Sequence, residues 1–262
     1  MGKAISVDIS AGIATVTISR PEVHNAINYQ GWLSLRSILE KTGDDDEVEV
    51  IVLTSAGAKA FSTGADIKDF SKYRHDSTQA KVYAEAFNGA VDALASITKP
   101  TICSIKGYCI GGGCELSLAA DLRIAANNSL FGIPAARLGI VIGYQEMQRL
   151  VHLVGPGHAN YILLSGRIFQ ASEAEHMGLV NSVVPLDEID ATTHKLAKEI
   201  SHLAPLSHTN NKKILQRVLV DPNLSTLTAE DEHLPFTNFD SEDYVEGRRA
   251  FSERRPPVFR GL

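Results

Sequence analysis

The stretch that decides the fold is residues 107–116, GYCIGGGCEL. It follows a short apolar run at residues 101–105, which predicts a buried strand, and it leads into a helical pattern through about Ala120. Glycine lets a ligand approach the main chain closely. The first N–H groups of a helix have no partner inside it and lie at the positive end of its dipole. The stretch is therefore either a simple tight turn or a turn suited to a developing oxyanion, and its glycine spacing fits neither the P-loop nor the dinucleotide fingerprint.

A second glycine-containing segment is residues 58–67, AKAFSTGADI. It follows another apolar strand pattern at residues 48–54. Gly64 permits an unusual backbone torsion that can turn an amide outward. Taken alone, the segment fits an ordinary Ser/Gly loop better.

Strand and helix patterns alternate over most of the chain, which predicts an α/β architecture. Strands are expected at residues 4–9, 12–18, 122–126, 129–131 and 179–184, and helices near 29–41, 77–97, 144–154, 157–165 and 189–203. Residues 207–254 carry no strand pattern and are expected to be helical, with a break at Asp221-Pro222. We therefore predict a core over residues 1–203 and a C-terminal helical region over residues 204–262.

Composition narrows the function classes. The chain has 262 residues and a formal net charge of −6, from 25 basic and 31 acidic side chains, so it lacks the charge pattern of a nucleic-acid binder. Cys103, Cys109 and Cys114 form no C-x-x-C pair, which argues against a disulfide framework or a zinc site and favours a reducing, cytoplasmic location. No metal-binding histidine motif occurs, and no run of 18 apolar residues predicts a membrane span.

Together, residues 58–67 and 107–116 resemble the crotonase (enoyl-CoA hydratase/isomerase) family. Further matches cover essentially the whole chain: Arg20-Pro21, Asn25-Ala26, Gly139, Arg149-Leu150, Ala174 with Gly178-Leu179-Val180, and Glu246-Gly247-Arg248 with Ala250-Phe251. The resemblance implies a crotonase-like spiral of ββα units with a C-terminal helical trimerisation region. It also implies a homotrimer or a dimer of trimers that binds an acyl-CoA thioester, with no cofactor because coenzyme A is the substrate carrier.

The resemblance also implies roles for individual residues. The N–H groups of Ala65 and Gly112 match the oxyanion hole that polarises the thioester carbonyl in the family. Glu115 matches the first of the two glutamates that hydratases of the family use as acid and base. The residues expected to contact the substrate are His24, Ala26, Lys59, Ser62, Gly64, Asp66, Ile67, Lys68, Ile110, Gly111, Pro134, Ala135, Leu138, Phe251 and Arg254. His24 and the lysines also fit ordinary surface positions, and Phe251 fits helix packing.

The sequence departs from the family pattern at the second glutamate. The family has F-G-x-P-E, whereas residues 131–135 read FGIPA, and Ala135 cannot transfer a proton. The glycine-rich stretch that normally follows is replaced by residues 140–146, IVIGYQE. Two alternatives remain for the proton transfers: Glu115 performs both of them, or Tyr144 or Glu146 assists it. We expect Glu146 to lie on the exposed face of the next helix.

Three functions remain open at this level. The first is an enoyl-CoA hydratase-like lyase with Glu115 as acid/base. The second keeps the oxyanion hole but performs another reaction of the family, such as decarboxylation, thioester hydrolysis, isomerisation or a specialised dehydration. The third is a non-catalytic acyl-CoA-binding protein that lost its activity together with the second glutamate.

Overall fold

The computed structural model describes residues 4–262, which form two β-sheets and the helices packed on them. The strands are β1 (Ile5–Ser10), β2 (Ile13–Ile18), β3 (Val50–Ser55), β4 (Ala60–Ser62), β5 (Thr101–Ile105), β6 (Tyr108–Ile110), β7 (Leu122–Ala126), β8 (Leu130–Gly132), β9 (Phe169–Gln170) and β10 (Ser182–Val184). The larger sheet has the order β1-β2-β3-β5-β7-β10, and the smaller one β4-β6-β8-β9. In the larger sheet, β1 and β2 form the predicted antiparallel hairpin, and every other pairing is parallel.

The helices are α1 (Tyr29–Gly43), α2 (Phe70–Tyr73), α3 (Ser77–Ser96), α4 (Gly112–Ser117), α5 (Tyr144–Ser165), α6 (Ala171–His176), α7 (Ile189–Ser201), α8 (Pro205–Val220), α9 (Ala229–His233) and α10 (Glu242–Glu253). The predicted helices at residues 144–154 and 157–165 join as α5, with a kink at Gly155 (φ 72°, ψ 166°) directly before Pro156. The other main difference is α4, which ends at Ser117 rather than near Ala120. The chain turns after α4, and Asp121 then accepts a hydrogen bond from the Thr101 amide and donates one to the Thr101 hydroxyl before β7 begins.

The apolar strands explain where the core lies. Five of the six residues of β3 are buried, as expected for a parallel strand covered on both faces. A large apolar cluster joins one face of the sheet to α1 and α3, and a smaller cluster lies under α7. Within the large cluster, the indole nitrogen of Trp32 donates a 2.7 Å hydrogen bond to the hydroxyl of Tyr83, which ties α1 to α3.

The smaller sheet positions the two glycine segments. Strands β4 and β6 are parallel, and Ser62 lies opposite Cys109. Because the carboxyl ends of neighbouring parallel strands lie at the same edge of a sheet, the residues that follow β4 and β6 start side by side. This edge carries both the segment with Gly64 and the glycine run that begins α4.

The C-terminal region is helical, as predicted, and α8 ends at Val220, directly before the predicted break at Asp221-Pro222. Lys212 on α8 reaches back and binds the Asp121 carboxylate at 2.6 Å and the Lys99 carbonyl at 2.9 Å. The predicted boundary at residues 203/204 falls between α7 and α8, and the division into two regions stays a prediction. Over residues 4–262, no helix is both long and apolar enough to cross a membrane.

Candidate active site

The amide of Ala65 is free because of how its neighbours are bonded. Ile27 donates to the carbonyl of Gly64 at 2.7 Å, and Asp66 donates to the carbonyl of Ile27 at 3.1 Å. These two bonds form an isolated parallel bridge between Ile27 and Ala65. The N–H of Ala65 takes no part in it, and none of residues 4–262 accepts a hydrogen bond from it.

The amide of Gly112 is free for a different reason. Gly112 is the first residue of α4, so its N–H has no acceptor within the helix. The amide before it is occupied, since Gly111 donates to the Gly132 carbonyl at 2.8 Å, and the first bond within the helix runs from the Glu115 amide to the Gly111 carbonyl at 2.9 Å. Within the described part of the chain, the Gly112 nitrogen has no hydrogen-bond acceptor.

These two free amides lie next to each other. A Cβ atom on Gly112 would stand 3.7 Å from the Ala65 nitrogen and 3.5 Å from the Gly64 Cα. A Cβ on Gly64 would stand only 2.6 Å from the Gly112 nitrogen, and Gly64 also has a φ of +82°. Both facts require glycine at position 64. The sequence therefore brings two unsatisfied donors, from segments far apart in the chain, to one small region.

Hydrogen bonds fix the segment that carries Ala65. The Asp66 carboxylate accepts from the Arg20 guanidinium at 3.0 Å, and Arg20 also donates to the Ala26 carbonyl at 2.7 Å. The Ser62 hydroxyl donates to the Asn25 carbonyl at 2.9 Å and accepts from the Gly64 amide at 3.1 Å. Three residues expected to contact the substrate, Ala26, Ser62 and Asp66, thus hold the shape of this segment.

Glu115 lies one helical turn after Gly112 and is only partly exposed. Burial of the carboxyl group among protein atoms raises the pKa of Glu115 to about 7, and the nearby charge of Glu146 adds to the rise. Arg74, the positive group that faces the carboxyl, acts in the opposite direction on this pKa. Near neutral pH the side chain therefore exists in both its acidic and its basic form, as an acid/base group requires.

The expectation that Glu146 lies on an exposed face was wrong. Glu146 is only 2% exposed, and its Oε1 atom has no hydrogen-bond partner. The carboxyl group folds back over Gly143, where a Cβ would stand 2.2 Å from Oε2. Tyr144, the other alternative, points outward and is 97% exposed. The sequence does place a glycine, Gly143, three residues before Glu146. The glycine alone does not predict that the Glu146 side chain folds back over it.

Comparison with known proteins decides the family. A sequence profile described as enoyl-CoA hydratase/isomerase matches residues 8–261. The chain belongs to this family. A probable enoyl-CoA hydratase of Mycobacterium bovis is 34% identical over 257 residues, 98% of either chain. The carnitinyl-CoA dehydratase of Escherichia coli is 32% identical over 265 residues, with both chains covered completely.

Solved structures agree with this assignment. An enoyl-CoA hydratase/carnithine racemase from Magnetospirillum magneticum superposes with a TM-score of 0.96 at 36% identity, covering 100% of this chain and 97% of that chain. The predicted family and the predicted crotonase-like α/β fold are therefore confirmed, and the chain is a hydratase-like enzyme of the enoyl-CoA hydratase/isomerase family.

The position of the family's second glutamate lies in a short 3-10 helix, Ala135–Leu138, directly after Pro134. Ala135 is partly buried and packs against the large apolar cluster. Leu138 is 63% exposed and Ile67 is 75% exposed. Ile110 ends β6 and leads into Gly111, whose φ of +54° sets the turn into α4.

The remaining predicted contact residues lie on the surface. His24 is exposed, and its ring meets the edge of the Tyr108 ring with centroids 6.1 Å apart. Lys59 and Lys68 are exposed and form no salt bridge within residues 4–262. Phe251 is 88% exposed and lines a separate groove on α10, whereas Arg254 ends that helix with a left-handed backbone. None of the other predicted site residues lines that groove, so their contact with the substrate stays a prediction.

Proposed function

We propose that this protein is a lyase that adds water across the C2=C3 double bond of an enoyl-CoA thioester, and removes it in reverse. The observation that carries the proposal is the pair of free amides, Ala65 and Gly112, with the Glu115 carboxyl one helical turn away. A family of hydratases and isomerases supplies the substrate class.

In the proposed reaction the thioester oxygen accepts hydrogen bonds from both amides. Addition of water oxygen to C3 moves the π electrons of the double bond toward C2 and the thioester oxygen. Backbone donors that are already oriented stabilise that charge without reorganising. In other oxyanion holes, removal of one donor raises the activation free energy by about 2.7–4 kcal/mol. Neither N–H group has an acceptor among residues 4–262, so a substrate oxygen can accept from both.

Glu115 provides the proton chemistry. Its raised pKa, about 7, keeps a share of the carboxyl protonated at neutral pH. The ionised form takes a proton from water, and the protonated form gives one to C2. Such positioned proton transfer is worth roughly 10²–10⁴ in rate.

Coenzyme A binding falls to the surface residues around this region. Lys59 and Lys68 flank the segment with Ala65 and are free to meet the phosphates of the carrier. The exposed side chains of Ile67 and Leu138 suit the acyl group or the pantetheine arm. In the proposed homotrimer or dimer of trimers, Phe251 and Arg254 contact the coenzyme A that is bound to a neighbouring subunit. Exposed apolar residues of the C-terminal region support such an assembly: Leu215, Val218, Leu219, Val220, Phe236 and Phe239.

The test is a spectrophotometric assay with crotonyl-CoA, which loses its conjugated-thioester absorbance on hydration. We expect turnover by the wild-type protein and a loss of about 10²–10⁴ in kcat for Glu115→Gln. Glu85→Gln, an exposed glutamate on α3, is the matched control and keeps the wild-type rate. Hydration that survives unchanged in Glu115→Gln would contradict the proposal.

A second candidate is dehydration of a substituted hydroxyacyl-CoA, favoured by the relative named carnitinyl-CoA dehydratase. It uses the same two amides and the same acid/base group in the reverse direction. A mass-spectrometric screen against a panel of hydroxyacyl-CoA thioesters separates the two candidates. Loss of water from one panel member, with no hydration of crotonyl-CoA, favours the second candidate.

A further inference from the structure

A buried carboxylate without a partner lies in the first turn of α5. Glu146 is 2% exposed, and no donor among residues 4–262 reaches its Oε1 atom. Burying a carboxylate without a hydrogen-bond donor is costly, so a group held in this way is a feature that needs a reason. Gly143 makes the arrangement possible, because any side chain there would collide with the Oε2 atom.

Helix α3 brings this carboxylate close to the free amides. Phe87 on α3 would be 3.3 Å from a Cβ on Gly112, so its ring lies against the start of α4. Asp92, further along α3, binds Arg149 of α5 at 2.7 Å. Gln145, beside Glu146 in the first turn of α5, shares a groove with Asp92 and other residues of α3. The start of α4 and the first two turns of α5 therefore each reach α3, through Phe87 and Asp92 respectively.

Glu115 and Glu146 also interact electrostatically. The charge of Glu146 is the second cause, after burial, of the raised pKa of Glu115. The groups that face the Glu115 carboxyl are thus Glu146 from α5 and Arg74, which follows α2. A like charge nearby disfavours the ionised form, so the Glu115 carboxyl keeps a share of its proton near neutral pH.

We infer that Glu146 is the second catalytic carboxylate of this enzyme and replaces, from α5, the glutamate that is absent at Ala135. The inference rests on the proposed hydration by Glu115 and the two amides. Ala135 begins the 3-10 helix that precedes α5, and the Ile140 amide donates to the Ala135 carbonyl at 3.0 Å, so a short turn of chain leads from Ala135 to Gly143 and Glu146. The unpaired Oε1 atom has a lone pair for the water that reacts.

Protons and electrons balance in the proposed addition of water. One carboxylate of the pair accepts a proton from water as the oxygen of that water bonds to C3. The π electrons of the double bond form the enolate on the thioester oxygen, and the carboxylic acid of the pair delivers its proton to C2. The product has gained one water, and the pair again holds one proton, now on the other member. Transfer of that proton between Glu115 and Glu146 resets the site.

The test compares Glu146→Gln with wild type in crotonyl-CoA hydration. We expect kcat to fall about 10²–10⁴-fold with KM changed little, as for loss of a proton-transfer group. The pH at which kcat/KM inflects also shifts below about 7, because the charge that raises the pKa of Glu115 is gone. Glu85→Gln again serves as the control. A rate for Glu146→Gln equal to wild type would overturn the inference.

Two further arms keep the test decisive. If wild type itself does not hydrate crotonyl-CoA, the proposed function fails and the Glu146 inference fails with it. If Glu115→Gln is inactive while Glu146→Gln keeps its rate, the function stands and only the inference falls. Should Glu146→Gln not fold, Glu146→Asp retains the charge but withdraws it by one methylene, and a full rate in that variant would count against the inference.

Discussion

Replacing Gly112 by alanine tests the arrangement on which the proposed chemistry depends. Gly112 begins α4 without a positive φ, so alanine introduces no backbone strain. The new Cβ would stand 3.3 Å from the Phe87 ring, 3.5 Å from the Gly64 Cα and 3.7 Å from the Ala65 nitrogen. Only the Phe87 ring has to move, by a few tenths of an ångström, so we expect the fold to persist.

The catalytic loss follows from the same distances. An oxygen bound to both amides lies about 2.7–3.1 Å from each nitrogen. A methyl group 3.7 Å from the Ala65 nitrogen crowds that volume, and the thioester oxygen retains one good hydrogen bond instead of two. Loss of one donor of this kind costs about 2.7–4 kcal/mol, or roughly 10²–10³ in kcat. We therefore expect Gly112→Ala to lower kcat for crotonyl-CoA by that factor.

The assay follows crotonyl-CoA absorbance for wild type, Gly112→Ala and Gly157→Ala. A Cβ on Gly157 meets nothing within 4 Å, which makes that variant a control for adding a methyl group to a helix. Thermal unfolding of all three proteins checks that the fold is retained. If Gly112→Ala unfolds like wild type and turns over within about threefold of the wild-type rate, the Gly112 amide does not contribute to catalysis as proposed.

Three other variants test the electrostatics and the packing. The raised pKa of Glu115, about 7, means that the folded protein holds a proton that the unfolded chain releases, so stability falls as pH rises from about 4.5 to about 7. Glu115→Gln removes this effect, so at pH 8 the variant is expected to have a higher Tm than wild type and an unfolding free energy larger by at most about 3 kcal/mol. At pH 4 the two proteins should melt at the same temperature. Equal melting temperatures at pH 8 would count against a buried Glu115 that holds a proton. Asp66→Asn removes the negative charge that pairs with Arg20 at 3.0 Å and should lower the unfolding free energy by about 1–3 kcal/mol in urea titrations. Unchanged stability would mean that this ion pair does not hold the segment. Tyr83→Phe leaves the buried Trp32 N–H without its acceptor and is expected to cost about 1–3 kcal/mol in the same titration, whereas a neutral result would show that water or a shift of the indole compensates.

Much of the fold is predictable because it depends on local patterns. The apolar run of β3 and the spacing on α3 determine buried elements directly, and both lie within two residues of their predicted bounds. Asp221-Pro222 predicts the end of α8 because proline cannot continue a helix from the residue before it. The two glycine segments were found from chemistry that only glycine permits, and the structure brings them together at the ends of β4 and β6.

The site is less predictable because it depends on contacts between distant elements. The sequence pattern of α5 favours a surface position for Glu146, whereas in the structure its carboxyl group folds back over Gly143 and is buried. Similarly, nothing in the sequence near Phe87 links it to Gly112, since that contact exists only after α3 crosses the start of α4. Polar residues such as Asp66 fit both a ligand contact and a structural bond, and only coordinates reveal the bond to Arg20.

The proposed chemistry requires one thioester oxygen to bind two main-chain amides, and a crystal structure with an unreactive acyl-CoA analogue would show that contact. We expect the thioester oxygen about 2.7–3.1 Å from both the Ala65 and the Gly112 nitrogen. An analogue bound with that oxygen elsewhere, while the two amides donate to protein groups, would contradict it.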